Sequence, residues 1–184
     1  MIKAVLFDLD GTLADTAPDL AGALNILLRE QGAPLIEFEK ARPLTSIGAR
    51  GMIKAGLGIE PLHPEFETLR DRYLQIYRDN ICIDTRLFDG VPELLTALEA
   101  QKIAWGIVTN KHERFTAPLL KALQLDIRAA CVVCGDTTAH AKPHPDPLLH
   151  AAKLIGVAPR DCLYVGDDVR DIQAARAAGM PVIA

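Results

Sequence analysis

Short apolar runs punctuate this chain at Ile2–Phe7, Ala104–Val108, Ala130–Val133, Cys162–Val165 and Pro181–Ala184. They have strand length and no helical period, so they read as strands buried on both faces. Between the later runs fall helical patterns, at Pro92–Leu98, Phe115–Leu123, Pro147–Ile155 and Val169–Ala178. Strand alternating with helix implies right-handed crossovers and a parallel sheet. The expected fold is α/β, a doubly wound, Rossmann-like parallel sheet.

The rhythm breaks after the first run. Residues 15–88 hold no convincing buried strand. Instead Pro18 marks a helix start, Leu20, Leu24, Leu27 and Leu28 share one face, and Gly32 stops it. A second helix carries Phe66, Leu69, Tyr73, Ile76 and Tyr77 at three-to-four spacing, the pattern of a packed helix–helix seam. The sequence therefore predicts a core of residues 1–14 and 89–184, with a small all-helical cap, 15–88, inserted after the first strand. Pro181-Val-Ile-Ala184 reads as a strand beginning with nothing after it, which predicts a core lacking its C-terminal end.

Composition narrows the function classes. At 184 residues the chain suffices for one α/β domain and a modest insertion. Its hydrophobic share of 49% and charged share of 24% are those of a folded globular protein. The net charge of −4, with lysines and arginines scattered, argues against a nucleic-acid partner. No apolar run is long enough to span a bilayer, and Ile2–Phe7 contains Lys3 and is too short for a signal core. No membrane partner and cytoplasmic residence are expected. The four cysteines are too dispersed for a disulfide scaffold, and Cys131-Val-Val-Cys134 reads as buried strand despite its redox-motif spacing.

In open α/β sheets ligands bind beyond the carboxyl ends of the strands. Four polar segments are predicted to arrive there: Asp8-Leu-Asp10-Gly11-Thr12, Thr109-Asn110, Lys142-Pro143, and Gly166-Asp167-Asp168 followed by Asp171. Carboxylates of Asp8, Asp10 and Asp167 gathered at one edge repel unless a cation sits among them. An oxygen-only set with room for water suits Mg²⁺, and Lys142 adds positive charge for a phosphate dianion. Asp15 and Asp161 read as turn formers or caps. His140 and His144 are four apart, but they straddle Lys142-Pro143, which breaks helical geometry and argues against zinc there.

These four segments, in this order, resemble the motifs of the haloacid dehalogenase-like hydrolase superfamily, and the helical insertion is similar to that family's small mobile cap. The resemblance implies Asp8 as nucleophile, forming an aspartyl phosphate, and Asp10 as general acid and then base. It implies Mg²⁺ held by the side chains of Asp8 and Asp167 and the main-chain carbonyl of Asp10, with Asp168 or Asp171 supporting from behind. Thr109 and Asn110 are expected to hydrogen-bond phosphoryl oxygens, Lys142 to bridge phosphate and nucleophile, Gly11 to let the loop approach the phosphate closely, and Gly11 and Thr12 to bind the substrate.

An acid at position 10 favours phosphoryl transfer over dehalogenation. The chain resembles phosphoglycolate phosphatases overall, and Ser46-Ile-Gly-Ala-Arg50 looks like a stretch of the N-acetylmuramic acid 6-phosphate phosphatases. Both substrates carry a carboxylate, which Arg50 in the loop Arg42–Gly51 is suited to pair. Arg50 reads equally well as a surface arginine at a helix start. The expected partner is a small phosphorylated metabolite, and the expected state a monomer or homodimer. Sugar phosphomutase, an inactive binding protein and a phosphoaspartate receiver domain are the alternatives, the last weakened by an acceptor aspartate so early in the chain.

Overall fold

A computed structural model describes residues Met1–Ala184. The chain divides into two compact units, Met1–Asp15 with Leu87–Ala184, and Thr16–Arg86. In chain order the elements are β1 (Ala4–Phe7), β2 (Ala14–Asp15), α1 (Ala17–Glu30), α2 (Phe38–Ala41), a 3₁₀ turn (Arg42–Ile47), α3 (Gly48–Leu57) and α4 (Phe66–Asp79). There follow β3 (Arg86–Leu87), α5 (Val91–Ala100), β4 (Ala104–Val108), α6 (Glu113–Ala122), β5 (Val132–Val133), α7 (Asp146–Ile155), β6 (Cys162–Val165), α8 (Val169–Ala177) and β7 (Val182–Ile183). None of the helices is long and apolar enough to cross a membrane.

The first unit is built on a five-stranded sheet of order β5-β4-β1-β6-β7. Its pairings are all parallel, with Ala4 opposite both Ala104 and Cys162. The alternation of side chains along β1 explains why the whole strand is apolar. Ala4 and Leu6 join Val108, Tyr164, Leu148 of α7 and Ala174 of α8 in one buried cluster. Val5 and Phe7 point to the other face, where Trp105 is also buried and donates Nε1–H to Glu99 of α5 at 3.1 Å. Each fully covered leucine or valine contributes on the order of 1.5–3 kcal/mol. Cys131 and Cys134 are buried beside β5 and carry free thiols. Burial pushes the Cys131 thiol up to about 11, so it stays protonated and unreactive at neutral pH.

The second unit is helical. Pro18 and Asp19 open α1 and Arg29 closes it, matching the helix dipole at both ends. Leu24, Leu27 and Leu28 are buried, as are Phe66, Leu69, Tyr73, Ile76 and Tyr77 of α4, the apolar seam expected from their spacing. Tyr73 donates its hydroxyl to the Leu20 carbonyl at 3.2 Å. The buried carboxylate of Asp19 accepts the main-chain N–H groups of Ile83, Asp84 and Thr85 and the Thr85 hydroxyl. That bonding satisfies three loop N–H groups and makes the burial of the charge tolerable. The expectation of a loop across Arg42–Gly51 is corrected: the segment coils as the 3₁₀ turn and then enters α3. Gly48, at φ 70°, separates the two coils, and no proline follows Pro43 to prevent the second.

Candidate active site

The chain runs β1, β4, β5 to one side of the sheet and then crosses to β6 and β7 on the other. The order therefore reverses at β1, and the carboxyl ends of β1, β4 and β6 lie side by side at that switch point. Asp8 follows β1 directly, and its N–H donates to the Val165 carbonyl at 2.9 Å. Beyond it the chain folds back within six residues, with Leu13 and Ala14 N–H both donating to the Leu9 carbonyl. Gly11 makes this turn at φ 84°, and a β-carbon there would stand 2.3 Å from Oδ2 of Asp167. Only glycine satisfies both conditions. Thr12 turns its hydroxyl to Asp167, donating to Oδ1 at 2.6 Å. In this structure Thr12 thus positions a carboxylate.

Lys142 is the centre of the buried charge. Only 5% of it is exposed, and its Nζ lies 2.7 Å from Asp171 Oδ1 and 2.9 Å from Asp8 Oδ1. It also donates to the Val108 carbonyl at 2.9 Å and to the Tyr164 hydroxyl at 2.8 Å. The Tyr164 hydroxyl in turn has two acceptors, the Val108 carbonyl and Asp171 Oδ1, each 3.0 Å from its oxygen. Burial, reinforced by Asp8 and Asp171, pushes the Tyr164 phenol well above its ordinary value, so it remains a neutral donor. Asn110 fixes the lysine's main chain from both sides, accepting Lys142 N–H at 2.9 Å and donating to its carbonyl at 2.8 Å. The Asn110 side chain thereby sets the main chain that carries Lys142. Thr109 is buried, and its hydroxyl accepts the Lys111 N–H at 3.1 Å.

The acidic residues separate into distinct roles. Asp8, Asp167 and Asp171 each offer an oxygen within 4.8 Å of the others. Asp171 had been expected only behind the metal, yet it lies in this group and is 1% exposed. Gly166 makes room for it, since a β-carbon at 166 would meet Asp171 Oδ2 at 2.4 Å. Asp168 does not join them. It caps α8, accepting Arg170 N–H at 2.8 Å, forms a capping box with Asp171, and pairs with the Arg170 guanidinium. Asp10 stands apart from the trio and pairs with Lys111 Nζ at 2.9 Å.

Lys111 and Tyr164 were not singled out in the sequence. Lys111 directly follows Thr109-Asn110 at a strand end, which was the available signal; Tyr164, inside an apolar run, gave none. Arg50 belongs to the helical unit, exposed in the first turn of α3 with no ion pair.

Asp8 shows the electrostatic consequence. Burial is the largest influence and raises its carboxyl from 3.8 to about 6, with Asp171 and Asp10 adding to the rise and Lys142 opposing it. Its Oδ1 is buried without a well-aligned hydrogen bond, the Lys142 ammonium approaching it obliquely. An under-satisfied carboxylate oxygen beside two further carboxylates fits a hard divalent cation with oxygen ligands, the preference of Mg²⁺. Asp8, Asp167 and Asp171 are the residues that would hold it.

Comparison with known proteins agrees with this geometry. Residues 5–184 match the family model described as haloacid dehalogenase-like hydrolase. A phosphoglycolate phosphatase of Xanthomonas campestris pv. campestris is 47% identical over 99% of this chain and 82% of its own length. An N-acetylmuramic acid 6-phosphate phosphatase of Pseudomonas aeruginosa is 42% identical over 97% of this chain and 79% of its own. Among solved structures, one described as a predicted phosphoglycolate phosphatase from Haemophilus somnus superposes with a TM-score of 0.87 at 30% identity, covering 98% of this chain and 84% of its own. With the ordered motifs meeting at one sheet edge, these likenesses lead to one assignment: the chain belongs to the haloacid dehalogenase-like hydrolase family.

Proposed function

We propose that this protein is a Mg²⁺-dependent phosphatase of small phosphorylated metabolites that works through a phosphoryl group carried on Asp8. The observation that carries the reading is the Asp8 carboxylate itself, held beside the Lys142 ammonium at the switch point, with Asp10 two residues on and paired to Lys111.

In the first step an Asp8 oxygen attacks phosphorus and the bond from phosphorus to the substrate's ester oxygen breaks. Protonated Asp10 gives its proton to the departing alkoxide. In the second step Asp10, now a carboxylate, takes a proton from water as that water attacks phosphorus. The bond to Asp8 breaks and inorganic phosphate leaves. Lys142 lowers the negative charge of the nucleophile's surroundings and stabilises charge that builds on the phosphoryl oxygens. Thr109, whose hydroxyl accepts the Lys111 N–H, keeps its own hydrogen to donate to a phosphoryl oxygen, and Lys111 favours the Asp10 carboxylate that takes up the proton in the second step and adds a second cation. Mg²⁺, when bound to the carboxylates, supplies Lewis-acid charge neutralisation for the phosphate dianion.

The substrate class within this reading carries a carboxylate, as phosphoglycolate and N-acetylmuramic acid 6-phosphate do. Relatives named for each of these substrates are 47% and 42% identical to this chain. Arg50, exposed and without an anionic partner, is the proposed carboxylate contact. Phosphoglycolate is the first choice and N-acetylmuramic acid 6-phosphate the second.

The test is a phosphate-release screen across both compounds and a set of sugar phosphates with Mg²⁺ present. Release from a carboxylate-bearing ester, lost in Asp8→Asn and with chelator, is the expected result. Transfer of phosphate between sugar positions without release would assign a mutase instead.

A further inference from the structure

A second group of metal-ligating side chains gathers away from the catalytic carboxylates. His140, His144 and Asp146 each offer a ligand atom, and those atoms all lie within 4.8 Å of one another. Lys142-Pro143 breaks helical geometry, and the turn in its place brings the two histidines together. The segment turns rather than spiralling, and the two imidazole centroids stand 4.3 Å apart. Lys142 is drawn inward by its bonds to Asn110, Asp171 and Tyr164, while the flanking histidines are left exposed next to each other.

Asp146 begins α7, so the helix fixes its place. His140 Nδ1 lies 2.9 Å from its Oδ2, and His144 Nδ1 lies 3.1 Å from its Oδ1. Each histidine therefore addresses a different oxygen of one carboxylate. Zinc bonds of roughly 2.0–2.2 Å in tetrahedral array place neighbouring ligand atoms about 3.3–3.5 Å apart. The observed nitrogen-to-oxygen spacings are a few tenths of an ångström shorter, a difference that exposed side chains absorb without disturbing the core. His150 follows Asp146 by one helical turn and lines a surface depression with it, outside the group of three.

The donor set decides the ion. Two imidazoles with one carboxylate suit borderline transition metals and not Mg²⁺, which prefers the all-oxygen set of Asp8, Asp167 and Asp171. We propose that His140, His144 and Asp146 form a binding site for a divalent transition-metal ion of the Zn²⁺ class, separate from the catalytic carboxylates. An ion bound there ties residues 140 and 144 to the start of α7 and so braces the turn that carries Lys142.

Calorimetric titration of Zn²⁺ into the full chain, in excess Mg²⁺ to occupy the catalytic carboxylates, tests this. The wild type is expected to take up one equivalent that the His140→Ala/His144→Ala double variant loses, and Asp146→Asn is expected to weaken it at least about tenfold. In nuclear magnetic resonance spectra of the wild type, the same addition should move the imidazole signals of His140 and His144 and leave those of His63 and His112 in place. Equal uptake by wild type and double variant, no uptake by the wild type, or movement confined to other histidines would each overturn the proposal.

Discussion

Replacing Asp8 by asparagine should make the metal-free protein more stable at neutral pH while abolishing its activity. The carboxyl of Asp8 rises from 3.8 to about 6 because it is buried among other carboxylates. A folded-state value above the unfolded one means that the native protein binds this proton more tightly than the unfolded chain. The associated stability is fully present below pH ~4 and is lost as pH climbs through about 6. At roughly 1.4 kcal/mol per unit, the change corresponds to about 3 kcal/mol. Asparagine keeps the shape and cannot ionise, so Asp8→Asn should match the wild type near pH 4 and exceed its stability by about 2–3 kcal/mol at pH 8. Urea unfolding in the presence of chelator, run at several pH values, reads the gap directly. Saturating Mg²⁺ at pH 8 should then restore the wild type and leave the variant nearly unchanged. A variant no more stable than wild type at pH 8, or a gap that does not change with pH, would refute the claim that Asp8 is held ionised against its surroundings.

Other substitutions probe neighbouring parts of the site. Asp10→Asn should lower turnover of alkyl phosphates by about 10²–10⁴-fold and that of aryl phosphates, whose leaving groups need no proton, far less; equal losses would remove Asp10 as general acid. Gly166→Ala should push Asp171 off Lys142 and cut kcat at least tenfold with Thr109 and the sheet intact; wild-type kcat would show that Asp171 need not be held where it is. Arg50→Ala should raise KM about tenfold for phosphoglycolate and leave p-nitrophenyl phosphate unaffected, and a uniform loss would return Arg50 to a structural role.

Periodicity located the long elements well because their patterns come from burial. The strands Ala104–Val108 and Cys162–Val165 coincide with their apolar runs, since both faces of a central strand are covered. The edges were less legible: only Val132–Val133 and Val182–Ile183 pair as strand, although longer runs surround them. An edge strand's length depends on which neighbours its main chain meets, and hydrophobicity does not encode that. The same division holds at the site. Strand ends announced Asp8, Thr109 and Asp167, because polar residues after apolar runs stand out. Which carboxylates face one another was hidden. Asp168 and Asp171 look alike in the sequence, yet one caps α8 and the other meets Lys142, a distinction made by helix phase. Thr12 and Asn110 were legible as site residues, but their bonding partners lie 155 and 32 positions away and emerge only on folding.

The bond from Thr12 to Asp167, packed over a glycine at position 11, makes two distant stretches of the chain a single inherited part. Exchanging the opening loop for one without glycine at 11 or a hydroxyl at 12 would unseat a carboxylate that the loop itself does not contain. Recombination or domain grafting that respects strand boundaries alone would yield well-folded proteins with a misassembled centre. Any chimera built on this fold should therefore move residues 8–14 and 166–171 together.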